Sequence, residues 1–282
     1  MTTLLITGAA RGIGHELVLR AVARGDTVFA MVRKQADEAR FKPSTGLHVV
    51  LMDVSDTGSV ERGFTEVDRL LAGRKLDAVI NPAAIAPSGS IELTPVAEFE
   101  QTLNTNALGS LRIIKAGIPR LRGHGGRLIL ITSLWGQASG PMLGAYCASK
   151  HAIESLVDVA RRETLGMNMH VIVIEPGVVK TDMLAGQTGE VEALLARMDA
   201  SQRSLYGNFY QRYCQLVTGA SKSGISAAQC AAGIEQAVFA RKPRTRYRVG
   251  TDSKIVCWLA WLLPDRWMDG MFSMSVNHKP LK

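Results

Sequence analysis

The sequence predicts an α/β fold, a doubly wound parallel sheet with helices on both faces, and three observations predict it. A short apolar run at residues 4–7 passes through a glycine-rich turn into a segment where Ile13, Leu17 and Ala21 recur at helical spacing. Further short apolar runs follow, separated by stretches long enough for crossover helices. No composition break or repeat divides the 282 residues, a length that one α/β domain fills.

After the first strand and helix, residues 27–32 and 48–52 read as the second and third strands, and a polar connection with Pro43 and Gly46 lies between them. Residues 78–80, 127–132 and 171–174 supply three more strands. Alternating strand and helix order calls for a parallel sheet covered on both sides. Right-handed crossovers then gather the loops at the C-terminal strand ends on one edge, where open α/β sheets bind ligands. Periodicity weakens over residues 177–224, which are rich in Gly, Ser, Gln and Met and are expected to hold one or two short helices. A helix resumes over residues 226–240, followed by a strand at 247–249 and an extended tail. The expected organisation is one domain over residues 1–282, with an insert covering the substrate at about 182–225 and a tail at about 251–282.

Composition excludes several classes. With 46% hydrophobic and 21% charged residues the chain belongs among ordinary globular proteins. Its net charge of +8 is dispersed, and the densest group, Arg241, Lys242, Arg244, Arg246 and Arg248, is interrupted by Pro243. No nucleic-acid recognition motif accompanies that group, which reads as a solvated surface, so no nucleic-acid partner is expected. Cys147, Cys214, Cys230 and Cys257 form neither paired motifs nor a metal pattern, so they read as free thiols with no metal site. The N-terminus lacks a signal-peptide pattern, which makes a cytoplasmic location the expectation. The apolar run at 255–263, with Trp258 and Trp261, falls short of the roughly 20 residues a transmembrane span needs and reads as a packed tail.

The turn Thr7-Gly8-Ala9-Ala10-Arg11-Gly12-Ile13-Gly14 carries the first functional signal. Placed between a strand and a helix, its glycines admit a pyrophosphate to backbone N–H groups and to the positive end of the helix dipole. A tight turn needs such glycines for their backbone freedom even without a ligand. The spacing GxxxGxG resembles the TGxxxGIG signature of the short-chain dehydrogenase/reductase family, and the resemblance runs from Leu4 to about Thr181. It implies a single-domain Rossmann fold and a dinucleotide bound by Gly8, Arg11, Gly12, Ile13 and Gly14.

In dinucleotide folds an acid ending the second strand holds the adenosine ribose, but here that strand ends in Val32, Arg33 and Lys34. Arg33, with Arg11 beside it in the glycine turn, suits a 2′-phosphate, so NADP(H) is the expected cofactor and NAD(H) the alternative. Asp37 lies too far along to act as the usual acid. Asp53 and Val54 match the family's adenine-binding pair, although an Asp at a strand end also serves as a helix cap. Asn81 and Ala83 match the family's NNAG segment at two positions, while Pro82 and Ala84 depart from it. Pro82 removes a backbone donor, and Ala84 resists the positive φ that glycine accepts.

Tyr146 and Lys150 stand four residues apart, which puts both side chains on one helix face. A phenol of reference pKa about 10 is a poor base near neutrality, and an adjacent ammonium favours its anion. Ser133 precedes Tyr146 by 13 positions, the offset of the family's catalytic serine, with Thr132 and Ser139 as competing hydroxyls. Asn106 occupies the family's NxxG position, whose amide orders water in a proton relay with the lysine, and Asn104 competes with it. Pro176, Gly177, Val179 and Thr181 resemble the PGxxxT segment that contacts nicotinamide, although a plain Pro-Gly turn has the same look.

The resemblance implies hydride transfer at a carbonyl carbon, with Tyr146 exchanging the proton, Ser133 orienting the oxygen and Lys150 lowering the tyrosine pKa while binding the nicotinamide ribose. The segments PRTRYRVG at 243–250 and LLPDR at 262–266 resemble the hydroxysteroid and retinol dehydrogenase-like branch. A small hydrophobic carbonyl or alcohol is the expected substrate. Met183, Leu184, Leu194, Leu195, Met198, Leu205, Tyr206 and Phe209 are candidates for its pocket wall, though such stripes also arise from plain helix packing. Reduction of 3-oxoacyl thioesters, or nucleotide sensing without turnover, are the competing readings. Family members pair through two long helices, here about residues 95–121 and 144–165, so a homodimer or homotetramer is expected.

Overall fold

The computed structural model describes residues 1–276. In chain order the elements are β1 (Thr3–Ile6), α1 (Gly12–Ala23), β2 (Thr27–Val32), β3 (Leu47–Leu51), α2 (Thr57–Leu71), β4 (Ala78–Asn81), α3 (Val96–Leu103), α4 (Gly109–Leu121), β5 (Gly126–Ile131), α5 (Gly144–Glu163), β6 (Met169–Pro176), β7 (Val179–Lys180), α6 (Asp182–Arg197), α7 (Ala200–Ser223), β8 (Ile225–Ser226), α8 (Ala227–Phe239), β9 (Arg246–Val249), α9 (Thr251–Leu262) and α10 (Asp265–Val276). Seven strands form one parallel sheet in the order β3-β2-β1-β4-β5-β6-β9, and β7 pairs with β8 outside it. The fold is the doubly wound α/β arrangement expected from the sequence. Strand order reverses between β1 and β4, which opens a crevice at their C-terminal ends.

Burial explains why the central strands read as continuous apolar runs. Every residue of β1, β2 and β4 is buried, as a strand covered on both faces requires. On one face Phe29, Met31, Leu128 and Leu130 pack against Phe64 and Val67 of α2, Ile113 of α4 and Ile153 of α5. On the other, Ile6, Ala30, Ile80 and Ile174 pack against Val18 of α1 and Ile234 of α8. Arg20 of α1 and Arg24, just past its end, clasp Glu235 of α8 over this second layer at 2.6 and 2.5 Å.

Two stretches differ from the sequence expectation. The region after β7 contains not short helices but α6 and α7, of 16 and 24 residues. The stripe that α7 buries, Gly207, Tyr210, Tyr213 and Val217, is built largely of tyrosines and a glycine, which a search for aliphatic periodicity passes over. An Asp199 capping box starts that helix, and α6 and α7 enclose a core of their own with Met142 and Val191. The stripe read as a pocket wall mostly serves this packing: Leu184, Leu194, Leu195, Met198, Tyr206 and Phe209 belong to it, while Met183 and Leu205 are exposed. Through residue 276 the tail is helical, not extended. Its helix α9 is anchored by buried Ser253 and Cys257 and is not a packed apolar run, since Ile255, Trp258, Trp261 and Leu262 are exposed. Among the described residues no helix is long and apolar enough to cross a membrane.

Phe64 is 1% exposed in the larger core cluster. Phe64→Ala is expected to cost about 3–5 kcal/mol of stability, read from denaturant midpoints. A loss below about 1 kcal/mol would show that this layer collapses around the cavity.

Candidate active site

The crevice begins at the glycine turn. Gly8 and Gly12 adopt φ of +55° and +52°, and a Cβ on Gly14 would lie 2.4 Å from the Gly8 carbonyl oxygen, so a side chain at any of the three is strained or excluded. Helix α1 starts here with no side-chain cap, its N-cap residue being Arg11. The N–H groups of its first turn are left for an anion. The Arg11 and Arg33 side chains are exposed and make no hydrogen bond or ion pair with the described residues. Asp37 is engaged by Arg40 at 3.1 Å. This end therefore fits a phosphorylated dinucleotide: open amides, an uncapped helix start and two uncommitted guanidinium groups.

The other residues expected at this end divide by what their side chains already do. Asp53 Oδ1 accepts from the Ser55 backbone N–H and hydroxyl at 2.8 and 2.7 Å, leaving Oδ2 uncommitted. Val54 is buried against Gly109, at whose position a Cβ would come within 3.1 Å of the valine methyl. Asn81 accepts from the Thr7 hydroxyl at 2.5 Å and donates to Ser110 at 3.0 Å, bracing β4 between β1 and α4. The Ala83 backbone N–H donates to the same threonine at 3.3 Å, which brings the segment beneath the glycine turn. Ala84 is not among the described residues of positive φ, so its departure from glycine leaves no strain.

At the reacting end, α5 follows β5 and presents Tyr146 and Lys150 one turn apart. Ser133 lies close enough to the Tyr146 hydroxyl to favour its anion, and the Lys150 ammonium lies 5.4 Å from the tyrosine ring centre. Lys150 is 3% exposed and donates to the Ile131 carbonyl at 2.8 Å. Burial pushes the Tyr146 phenol up to about 12 against the lowering effect of Ser133, and pulls Lys150 down to about 8 against the raising effect of Glu154. The competing hydroxyls are placed elsewhere: Thr132 donates to the Ile174 carbonyl at 3.0 Å, and Ser139 is exposed.

Asn106 sits in a π-helical turn, Asn104–Leu108, that joins α3 to α4, a distortion that often marks functional sites. Fully buried, it accepts from the Ile85 N–H at 2.9 Å and donates to the Ile85 carbonyl at 2.8 Å and to Ser149 at 2.9 Å. The turn thereby ties the loop after β4 to α5, and the asparagine oxygen keeps one lone pair. Asn104 instead bridges Ser55 and Arg112.

The segment after β6 closes the crevice. The Gly177 N–H donates to the Val249 carbonyl at 2.8 Å, and the Val178 N–H donates to Asp252 at 2.6 Å. A Cβ on Gly177 would fall 2.0 Å from that carboxylate, which explains the glycine after Pro176. Val179 and Ile13 pack at the edge of the second core layer, and the Thr181 methyl lies 3.2 Å from where a Gly12 Cβ would stand. Two motifs about 170 residues apart in sequence thus meet, as right-handed crossovers dictate.

Part of the basic group read as solvated surface stays at the surface but reaches inward to buried carboxylates. Strand β9 turns Arg246 and Arg248 to the same side, as residues two apart must be. Arg246 pairs with Glu154 and, at 2.5 Å, with Glu175, while Arg248 reaches Glu175 at 2.9 Å. Glu175 is fully buried. The sequence signals were the alternation of arginines in a strand and two glutamates within otherwise apolar stretches. The four cysteines are free thiols, and no metal-holding cluster occurs among the described residues.

The chain matches the short chain dehydrogenase family over residues 2–192. It is 28% identical to the NADPH-dependent 3-dehydrocapnine reductase of Ornithobacterium rhinotracheale, over 96% of each chain. It is 30% identical to human retinol dehydrogenase 5, over 96% of this chain and 87% of that one. The fold is shared with a short chain dehydrogenase from Burkholderia cenocepacia solved with NADP, at a TM-score of 0.75 and 19% identity over 99% and 98% of the two chains. The protein belongs to the short chain dehydrogenase family.

Replacing Asn106 by Ala removes the side-chain partner of the Ile85 N–H and carbonyl in a half-buried loop. The expected cost is about 1–3 kcal/mol for each unsatisfied group, read by thermal or denaturant unfolding. An Asn106→Ala protein as stable as the parent would show that water or a shifted loop replaces the amide.

Proposed function

We propose that this protein is an NADP(H)-dependent oxidoreductase that interconverts a carbonyl and an alcohol on a hydrophobic substrate of the retinol- or hydroxysteroid-like kind. The observation that carries the reading is Tyr146 with Ser133 beside its hydroxyl and a buried lysine one turn along the helix, at the same sheet edge as the glycine turn.

At neutral pH the phenol, held near 12, is protonated. It therefore stands ready to donate a proton to the oxygen of a carbonyl, while Ser133 bonds to and orients that same oxygen. The Lys150 ammonium, present below about pH 8, stabilises the tyrosinate that donation leaves behind. In the reverse direction the same tyrosinate takes the proton from an alcohol. Bound in the crevice, the dinucleotide supplies the hydride for reduction and receives it in oxidation.

Arg11 and Arg33 would hold the 2′-phosphate, and with Asp37 committed to Arg40 no carboxylate disfavours it. Gly8, Gly12, Ile13 and Gly14 would face the pyrophosphate, Asp53 and Val54 the adenine, and Asn81 and Ala83 would support the segment beneath. Pro176, Gly177, Val179 and Thr181 would line the nicotinamide side. The relatives' names supply the support for substrate class: one reduces a 3-dehydro compound with NADPH, and the other acts on retinol.

The test follows NADPH and NADH consumption with apolar ketones, retinal and 3-oxoacyl thioesters. Tyr146→Phe is expected to lower turnover by about 10²- to 10⁴-fold with cofactor affinity little changed. Arg33→Ala should weaken NADPH binding by about tenfold or more and leave NADH binding nearly untouched. Turnover that survives Tyr146→Phe would remove the proposed acid. Cofactor binding without turnover across the panel would favour a nucleotide sensor.

A further inference from the structure

Lys150 is not the only charge taken out of water behind the site. One turn further along α5, on the same helical face, stands Glu154, 8% exposed. Its Oε2 is paired with Arg246 of β9, and its Oε1 is buried without a hydrogen-bond partner. Both residues lie under the short turn Leu134–Gly136 that follows Ser133: a Cβ on Gly136 would come within 3.1 Å of the Glu154 side chain and 3.3 Å of the Lys150 carbonyl. That glycine leaves room for the carboxylate to approach the lysine's turn of the helix.

We propose that Glu154 is a positioning residue for the reaction, its buried carboxylate keeping the Lys150 ammonium charged and seated beneath Tyr146. The inference rests on the oxidoreductase reading above.

The groups that face this pair come from four other elements. Thr132, after β5, lies beside Glu154 and favours its carboxylate form. Glu175 of β6 shares Arg246 with it, and β9 contributes Arg246 and Arg248. Cys257 of α9 faces the same cluster, its thiol raised by burial and by Glu175. Along α5 itself, Tyr146 lies on one side and Asp158, 3.5 Å from Arg246, on the other. Burial pushes the Glu154 carboxyl up, opposed by Thr132 and Arg246. Burial also depresses Lys150, and the carboxylate one turn away is the charge that opposes it. A neutral lysine does nothing for a neighbouring tyrosinate, so the charge of Glu154 decides up to what pH Lys150 serves Tyr146.

The sign follows. The Lys150 ammonium is present below about pH 8 and lost above it; without the negative charge of Glu154 it is lost at lower pH. Glu154→Gln and Glu154→Met both remove that charge, and both leave Arg246 paired with Glu175 and Asp158, so folding is preserved. Glu154→Asp keeps it.

The experiment measures the pH profile of NADPH-dependent ketone reduction in the wild type and the three variants. Separately, it titrates Lys150 by NMR of ¹³C-labelled lysine, assigned with Lys150→Arg. The Gln and Met variants are expected to move the alkaline limb, and the Lys150 midpoint, down by about one pH unit, with Glu154→Asp staying close to wild type. Folded Gln and Met variants with an unmoved Lys150 midpoint would overturn the inference, as would an Asp variant displaced as far as the Gln one. A midpoint that moves in a protein reducing no ketone supports the charge coupling and overturns the oxidoreductase reading instead.

Discussion

Carrying a lysine ammonium from water into a protein interior costs several kcal/mol unless other groups replace its hydration. Lys150 is in that position, and much of the surrounding architecture answers it. The Ile131 carbonyl at the end of β5 takes one of its protons. Glu154, one turn on, supplies a counter-charge and is itself too deeply buried to stand alone, so Arg246 is drawn in from β9. Arg246 then needs Glu175, and Glu175 needs Arg248. Burying one cation thus enforces an alternating series of charges that joins α5, β6 and β9, and that series ties the last strand of the sheet to the helix bearing Tyr146.

A different constraint shapes the other half of the crevice. Where the strand order reverses between β1 and β4, the loops leaving them run apart and expose the start of α1. Close approach is possible only because Gly14 packs on the Gly8 carbonyl and Gly12 lets the Thr181 methyl come near. Asn81 braces the two strands at this point through Thr7 and Ser110. The crevice is rigid where the glycine turn is anchored, while the guanidinium groups of Arg11 and Arg33 stay uncommitted at its rim.

What the sequence disclosed follows from the range over which each signal acts. The glycine turn and the Tyr146 and Lys150 spacing are local, set by a few residues of backbone, and could be read directly. The Rossmann order was legible because doubly buried strands leave uninterrupted apolar runs. Glu154 with Arg246, and Glu175 with Arg248, are pairs between elements far apart in the chain, so the alternating arginines and the glutamates among apolar residues were visible but their pairing was not. Asn106 and Asn104 share one π-helical turn, and what separates them is their partners, Ile85 and Ser149 against Ser55 and Arg112, which lie in segments that the local pattern does not encode. Helix α7 escaped notice because its buried face is aromatic, and the tail because α9 and α10 leave much of their apolar surface uncovered.

The tail nevertheless bears on the site at two separate points. Asp252 and Ser253, in the first turn of α9, bind the Val178 N–H and the Glu175 carbonyl, fixing the segment that runs from β6 past Gly177. Further on, Phe272 of α10 meets Trp135, two residues beyond Ser133, with ring centres 5.9 Å apart. The first contact uses backbone partners and a glycine that admits no side chain, so it tolerates little change. The second is a side-chain contact between aromatic rings, which other apolar residues can replace at modest cost. One short C-terminal segment thus combines an anchor on the proposed cofactor side that tolerates little change with an adjustable contact at the turn after Ser133. Substitutions at Phe272 therefore reach the turn after Ser133 without touching the anchor at α9.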